Sequence, residues 1–273
     1  MQQIINFIIR FKTTLLFFLL LLISLFLTVQ SHTYHRSIFF NSSNRISGSL
    51  YKTSNDISKY FKLNSENDDL LEHNQELLNK LFNASRADTM ELDTAGARYR
   101  VTAAKVIKNS FGNRKNYITI DRGTEQGIRQ DMGVITAKGI LGIVEACSKN
   151  YSVVQSILNT NSNINAKIKN TNNFGSLTWD ARGFDRVQLE DIPRLVQLMV
   201  GDTIVTGAMS SIFPEDIPIG VISKFDLNVS KSFYQIDVDL FNDMTNIKNV
   251  YIIENMDRPE ILELQSTVEN DPE

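Results

Sequence analysis

Histidine is nearly missing from this chain: the only three are His32, His35 and His73. A Ser-His-Asp hydrolase needs an imidazole to take the serine proton, so that chemistry is excluded everywhere beyond residue 73. The single cysteine, Cys147, rules out an intramolecular disulfide and any cysteine-based zinc site. It lies in the alternating apolar run GIVEACSKN and reads as a buried structural thiol. With so few His and Cys residues no metal-binding cluster forms, and no metal or cofactor is expected. Charge is also unremarkable, 22% of residues with a formal net charge of -3. No Lys/Arg run interleaves with aromatics, so nucleic acid is not an expected partner.

What the chain does have begins at its N-terminus. No charge occurs from Thr13 to Tyr34, and Leu15 to Leu27 is Leu, Phe or Ile apart from Ser24. At roughly -0.3 to -0.6 kcal/mol for each such residue near a helix centre, insertion into a bilayer is favoured by several kcal/mol. The expectation is a retained anchor over residues 13–33, with Leu15, Phe18, Leu22 and Phe26 in lipid. The rival signal-peptide reading has a shorter apolar core and only Val29-Gln30-Ser31 as a poor cleavage site. Arg10 and Lys12 precede the span and only Arg36 soon follows it. A cytoplasmic tail of residues 1–12 is therefore expected, with the bulk of a single-pass chain outside the cytoplasmic membrane.

Residues 34–56 are rich in Asn and Ser and read as a polar linker or weak helix. Over 57–91 a heptad pattern sets in. Tyr60, Asn67, Asn74 and Leu81 are seven apart, as are Leu63, Leu70 and Leu77. The two series interleave as the a and d positions of a short coiled coil, so these seven residues are the expected homodimer interface. Asn at a costs stability but favours an in-register pair, because each amide seeks its mate. The competing reading is an amphipathic helix lying on its own domain.

From Tyr99 short segments such as YRVTAAKVI, NYITIDRG, MGVITAKG and IGVISKFD are β-branched, aromatic and separated by Gly, Asn and Asp. Strands at 8–12-residue spacing point to sandwiches or small barrels, and the stretch 98–253 is long enough for two. Residues 254–273 are acidic and poor in aromatics, and read as a disordered tail. There is an internal echo: Asp131 to Val144 and Gly201 to Ile222 each run turn, short strand ending in Thr136 or Thr206, glycine loop, then apolar-Gly-apolar. They read as analogous hairpins.

Four features of this β region bear on chemistry. Gly123, Gly127, Gly133, Gly139 and Gly142 match neither GxxxxGK[ST] nor GxGxxG, and strands follow them where a phosphate loop needs a helix. Ser210 and Ser211 with Lys138 or Lys224 are imaginable as a Ser/Lys dyad, but Met209 precedes the serines and the signal-peptidase order is absent. Asp237 and Asp239 share a strand face without a second carboxylate pair, a weak glycosidase signal. Phe174 and Trp179 read as core or groove aromatics.

The segment NYITIDRGTEQGIRQDMGVITAKGILGIVEACSKNYSVVQSIL, then FGSLTWD, then VGDTIVTGAMSSIFPEDIPIGVI resembles, in order, the core elements of the rod-shape-determining MreC family. The likeness covers about residues 99 to 225 and departs at Ala208 and Asp216, where the family pattern has Gly. It gives structural roles to Gly123, Gly127, Gly133, Gly139, Gly142, Gly175, Trp179, Gly201, Asp202, Gly207, Phe213, Pro214 and Gly220. The resemblance implies a transmembrane helix and short coiled coil followed by an all-β region of two small β-barrels. It also implies a homodimeric, non-enzymatic scaffold of the bacterial inner membrane with no small-molecule substrate. Its implied partners are a class B penicillin-binding transpeptidase, MreD and MreB. The alternatives are a periplasmic adaptor of an export pump, which usually carries a long helical hairpin absent here, and a membrane-anchored Ser/Lys peptidase.

Overall fold

The computed structural model describes residues 10–31, 63, 65–84, 97–169, 171, 173–228 and 232–269. Expectations for residues 1–9, for the 34–56 linker, for Tyr60 and for 85–96 fall outside these. The chain divides into two units, 1–68 and 69–273.

The first unit holds helix α1, Lys12–Ser31. Its leucines, not branched at Cβ, lose little rotamer freedom in a helix, and every described side chain from Lys12 to Thr28 is exposed. Among the described residues no helix is long and apolar enough to cross a membrane.

Among the described residues the second unit carries most of helix α2, residues 65–83, then twelve strands and a last helix. The strands are β1 Tyr99–Asn109, β2 Lys115–Ile120, β3 Gly133–Thr136, β4 Gly139–Cys147, β5 Ser152–Asn159, β6 Ile164–Ile168, β7 Phe174–Thr178, β8 Arg186–Pro193, β9 Thr203–Thr206, β10 Pro218–Leu227, β11 Phe233–Leu240 and β12 Asn249–Asn255. They form two closed six-stranded barrels. The first runs β1-β12-β3-β4-β5-β2 and the second β10-β11-β8-β7-β6-β9. The barrels are therefore not in tandem. The second is inserted between β5 and β12, and β12 returns to fill the place between β1 and β3, pairing antiparallel with both.

Strand alternation builds each core. In β2 the side chains of Ile118 and Ile120 are buried, and in β11 Ile236 and Val238 point in while Asp237 and Asp239 point out. Each fully buried Val, Leu or Ile contributes about 1.5–3 kcal/mol. Closure removes most of the free sheet edge that open sheets expose.

Two expectations are corrected. Arg258–Glu269 forms helix α3 where composition alone points to a disordered tail. Pro259 and Glu260 suit a first helical turn. Arg258 also anchors the helix start, donating to Asp131 Oδ2 and Ser211 Oγ, both at 3.0 Å. Cys147, expected to be buried, is free and only half-buried as the last residue of β4.

Candidate interaction surfaces

The glycines hold strands together. An added Cβ at Gly142 would lie 2.0 Å from the carbonyl oxygen of Gln155, at Gly220 2.1 Å from that of Asp239, and at Gly175 2.0 Å from that of Glu190. In each case the neighbouring strand sits where a side chain would be. Gly142 and Gly220 thus do the same work in the two barrels, in hairpins β3–β4 and β9–β10. Gly123 packs on the Ser148 and Lys149 carbonyls, and Gly207 on Asn165 Oδ1. Gly127 and Gly201 take left-handed φ values of 80 and 96° in turns. Asp202 caps its turn by accepting the Met199 N–H at 2.9 Å.

Several of the motif residues meet at the junction of the barrels. The loop between β9 and β10 sends Phe213, 1% exposed, onto Gly133 of the first barrel, where the ring occupies the place a Cβ would take. Gly139 stacks its turn on the carbonyl of Pro218. Thr206 pins the same loop, donating to the Pro214 carbonyl at 2.7 Å and accepting the Ile217 N–H at 2.9 Å. Lys167 pairs with Glu215 and, at 3.0 Å, with Asp216, and these carboxylates raise its pKa. Asp216, which stands where the family pattern has Gly, holds a φ of 67°, a region Asp tolerates better than most residues. Sequence reasoning missed Asn242, which donates to the Gly139 and Ile140 carbonyls across the junction. It also missed Asn255, which donates to the Ser211 carbonyl at 2.9 Å. On another side Phe111 and Phe184 meet edge to face at 5.9 Å.

The chemical candidates resolve into structural parts. Ser210 Oγ accepts the N–H groups of Ile212 and Phe213 at 3.1 and 3.4 Å, and Ser211 Oγ accepts from Arg258. Among the described residues no hydrogen bond or ion pair joins either serine to a lysine. Asp239 receives Arg186 Nε at 2.7 Å, and the guanidinium also neighbours Asp237 at 3.9 Å. Trp179 is buried and donates its indole N–H to the Gly183 carbonyl, while Phe174 is exposed.

Helix α2 has two faces. Leu71 is buried, and Leu78 and Phe82 pack against the core of the first barrel, Phe82 meeting Tyr99 edge to face. On the other side Leu70, Leu77 and Leu81 are 61–65% exposed, an apolar stripe left open among the described residues. Leu63 and Asn67 are exposed as well. The d positions and Leu81 thus stay open, while part of the helix lies on its own domain. Asn74 is exposed but hydrogen-bonds Tyr251 of the barrel, a use the heptad spacing does not reveal. Burial raises the pKa of Tyr251, with that hydrogen bond working the other way. Leu15, Phe18, Leu22 and Phe26 are all exposed on α1.

Comparison with known proteins agrees with this architecture. The family model described as "Rod shape-determining protein MreC, barrel core" matches residues 106–254. The cell shape-determining protein MreC of Bacillus subtilis is 26% identical over 244 residues, 83% of this chain and 82% of that protein. Its Listeria monocytogenes counterpart is 24% identical over 168 residues, 60% of this chain and 54% of that protein. The match to the Escherichia coli protein spans only 35% of its length. In three dimensions the MreC structure from Listeria monocytogenes aligns with a TM-score of 0.55 at 23% identity, covering 73% of this chain and 92% of that one. That from Pseudomonas aeruginosa gives 0.52 at 17%, covering 56% and 98%. These last two show the fold. With a family model matched over more than half its length, β1 to β12, this chain belongs to the rod shape-determining MreC family.

Proposed function

We propose that this chain is a non-enzymatic, membrane-anchored scaffold of the cell-elongation machinery that organises and activates peptidoglycan synthesis and so controls cell shape. The observation that carries the reading is the family's barrel core on a helix whose leucine stripe is left uncovered. Helix α1 anchors the chain in the bacterial cytoplasmic membrane through Leu15, Phe18, Leu22 and Phe26, with residues 1–12 in the cytoplasm and the barrels outside. Two copies pair through Leu63, Asn67, Leu70, Leu77 and Leu81, with Tyr60 and Asn74 in the same heptads. The barrels engage a class B penicillin-binding transpeptidase, and the assembly joins MreD and MreB.

A scaffold activates its partner only by binding the active state more tightly than the inactive one. The full-length chain in detergent is expected to bind its cognate elongation transpeptidase and raise its activity. Absence of both effects overturns the reading. Depletion in the host is expected to abolish control of cell width. Leu70→Asp with Leu77→Asp is expected to give monomers in analytical ultracentrifugation, and an unchanged mass refutes the pairing.

A further inference from the structure

Strand β1 outruns one of its neighbours. Its Tyr99–Lys105 stretch pairs with β12, but β2 pairs only from Val106 onward. The Arg98 carbonyl accepts from Met256 and the Val106 N–H donates to Lys248, so the even-numbered groups of β1 face β12. Along Tyr99–Ala103 the odd-numbered ones face a side with no strand among the described residues. Such an edge exposes unpaired N–H and C=O groups and invites pairing with another chain.

Side chains take the place of the absent strand. The Ala103 N–H donates to Gln75 Oε1 at 2.8 Å, Val101 to Asn79 Oδ1 at 2.8 Å, and Tyr99 to Asn83 Oδ1 at 3.0 Å. Asn83 returns its amide to the Tyr99 carbonyl at 2.8 Å, and Asn79 returns a longer contact of 3.5 Å to Val101. Lys105 completes the series, donating to Asp121 Oδ1 at 2.7 Å. Each step of four in the helix thus answers a step of two in the strand. Four helical residues rise about 6.0 Å and two strand residues about 6.8 Å, a mismatch of about 0.8 Å per rung that side-chain torsions absorb over three rungs.

We propose that Gln75, Asn79 and Asn83 form a surrogate strand that locks α2 to the first barrel, and thereby fixes how two paired copies hold their barrels. At 100° per residue, Leu70, Leu77 and Leu81 centre about 180° round the helix from Gln75, Asn79 and Asn83. The amides therefore set the direction in which the stripe is offered to a second copy. The barrel orientation is then decided within each copy, before pairing, by five side-chain polar atoms on the backbone of one strand. This second half rests on the dimer reading above.

The test uses the full-length chain in detergent micelles, as wild type and as Gln75→Ala/Asn79→Ala/Asn83→Ala. Residue-resolved hydrogen exchange is expected to quicken at the 99, 101 and 103 amides by at least about tenfold while 100, 102 and 104 keep their protection. A spin label at Lys108→Cys, in a Cys147→Ser background, is expected to give a narrow inter-copy distance in the wild type. In the triple variant that distance broadens although the chain still sediments as a dimer. Unchanged exchange at 99, 101 and 103 overturns the lock, and an unchanged distance distribution overturns its role in orientation. Should the triple variant not fold, Asn79→Leu is read at the Val101 amide alone, where unchanged exchange again refutes the lock. A wild type that sediments as a monomer overturns the dimer reading and the orientation claim with it, while the exchange data still decide the lock.

Discussion

Gly133 and Phe213 sit on different barrels, so enlarging one and shrinking the other tests whether the junction is a packed interface. A Cβ on Gly133 would lie 2.6 and 2.7 Å from Cε1 and Cδ1 of Phe213, far inside van der Waals contact, and the ring is buried on both sides. Gly133→Ala is expected to cost about 1–3 kcal/mol through overpacking. Phe213→Ala is expected to cost about 3–5 kcal/mol through lost burial and the cavity left behind. At about 2–4 °C per kcal/mol for a unit of this size, the melting temperature falls by several degrees for the first and by roughly 6–20 °C for the second. The decisive variant combines Gly133→Ala with Phe213→Leu, in which the alanine methyl meets a smaller, more adaptable side chain. Its loss is expected to fall short of the summed losses of Gly133→Ala and Phe213→Leu alone by about 0.5–3 kcal/mol. Thermal and urea unfolding followed by circular dichroism read all four corners of the cycle. Strict additivity, or a Gly133→Ala variant as stable as wild type, refutes the contact and the account of the junction built on it.

Gly142→Ala and Gly220→Ala are each expected to lose at least about 1–3 kcal/mol in the same assay, because the obstructing atom is a paired strand's backbone. Gly112→Ala, with nothing within 4 Å, is expected to stay within about 0.5 kcal/mol. At the Lys167 cluster the order of effects is diagnostic. Glu215→Gln with Asp216→Asn strands a cation whose side chain is 11% exposed and costs more than Lys167→Met, which leaves two solvated carboxylates. The reverse order refutes that reading. Burial raises the pKa of both Tyr99 and Tyr251. An unfolded tyrosine loses its proton near pH 10. Above that value the unfolded chain has shed protons the folded one keeps, so stability falls as pH rises toward the folded pKa. Tyrosinate absorbance alongside urea unfolding at pH 9 to 11 checks this, and constant stability across the window refutes it.

Local chemistry made the strands legible. Segments such as NYITI and GVIT announce themselves by β-branched alternation, and the apolar-Gly-apolar echo marks equivalent hairpins because both need a strand carbonyl where a Cβ would stand. The insertion of one barrel in the other was not legible. VYIIE looks like any other strand, and its place between β1 and β3 depends on pairings more than a hundred residues apart. The surrogate strand stayed hidden for a different reason. Gln75, Asn79 and Asn83 are polar residues on a helix, which usually means a solvated face, and their meaning lies in a strand register no helical period displays. The heptad leucines and the barrel-facing residues occupy the same helix, so a single periodicity described only half of it. Helix α3 was masked by its acidic composition, since its start is held by Asp131 and Ser211 from elsewhere in the chain.

The placing of β12 has a consequence for how the chain is made. As residues appear in order, Tyr99 to Asn159 emerge first, but β1 and β3 lack their common neighbour until Asn249 to Asn255 follow. The intervening residues 160–248 take roughly 5–20 s to synthesise at 5–20 residues per second. All six strands of the inserted barrel fall inside that interval, so it can close while its host is still gaping. A nascent chain stalled before β12 therefore carries a finished module within an unfinished one, and quality-control proteases that attack unpaired strands have their target in the first barrel.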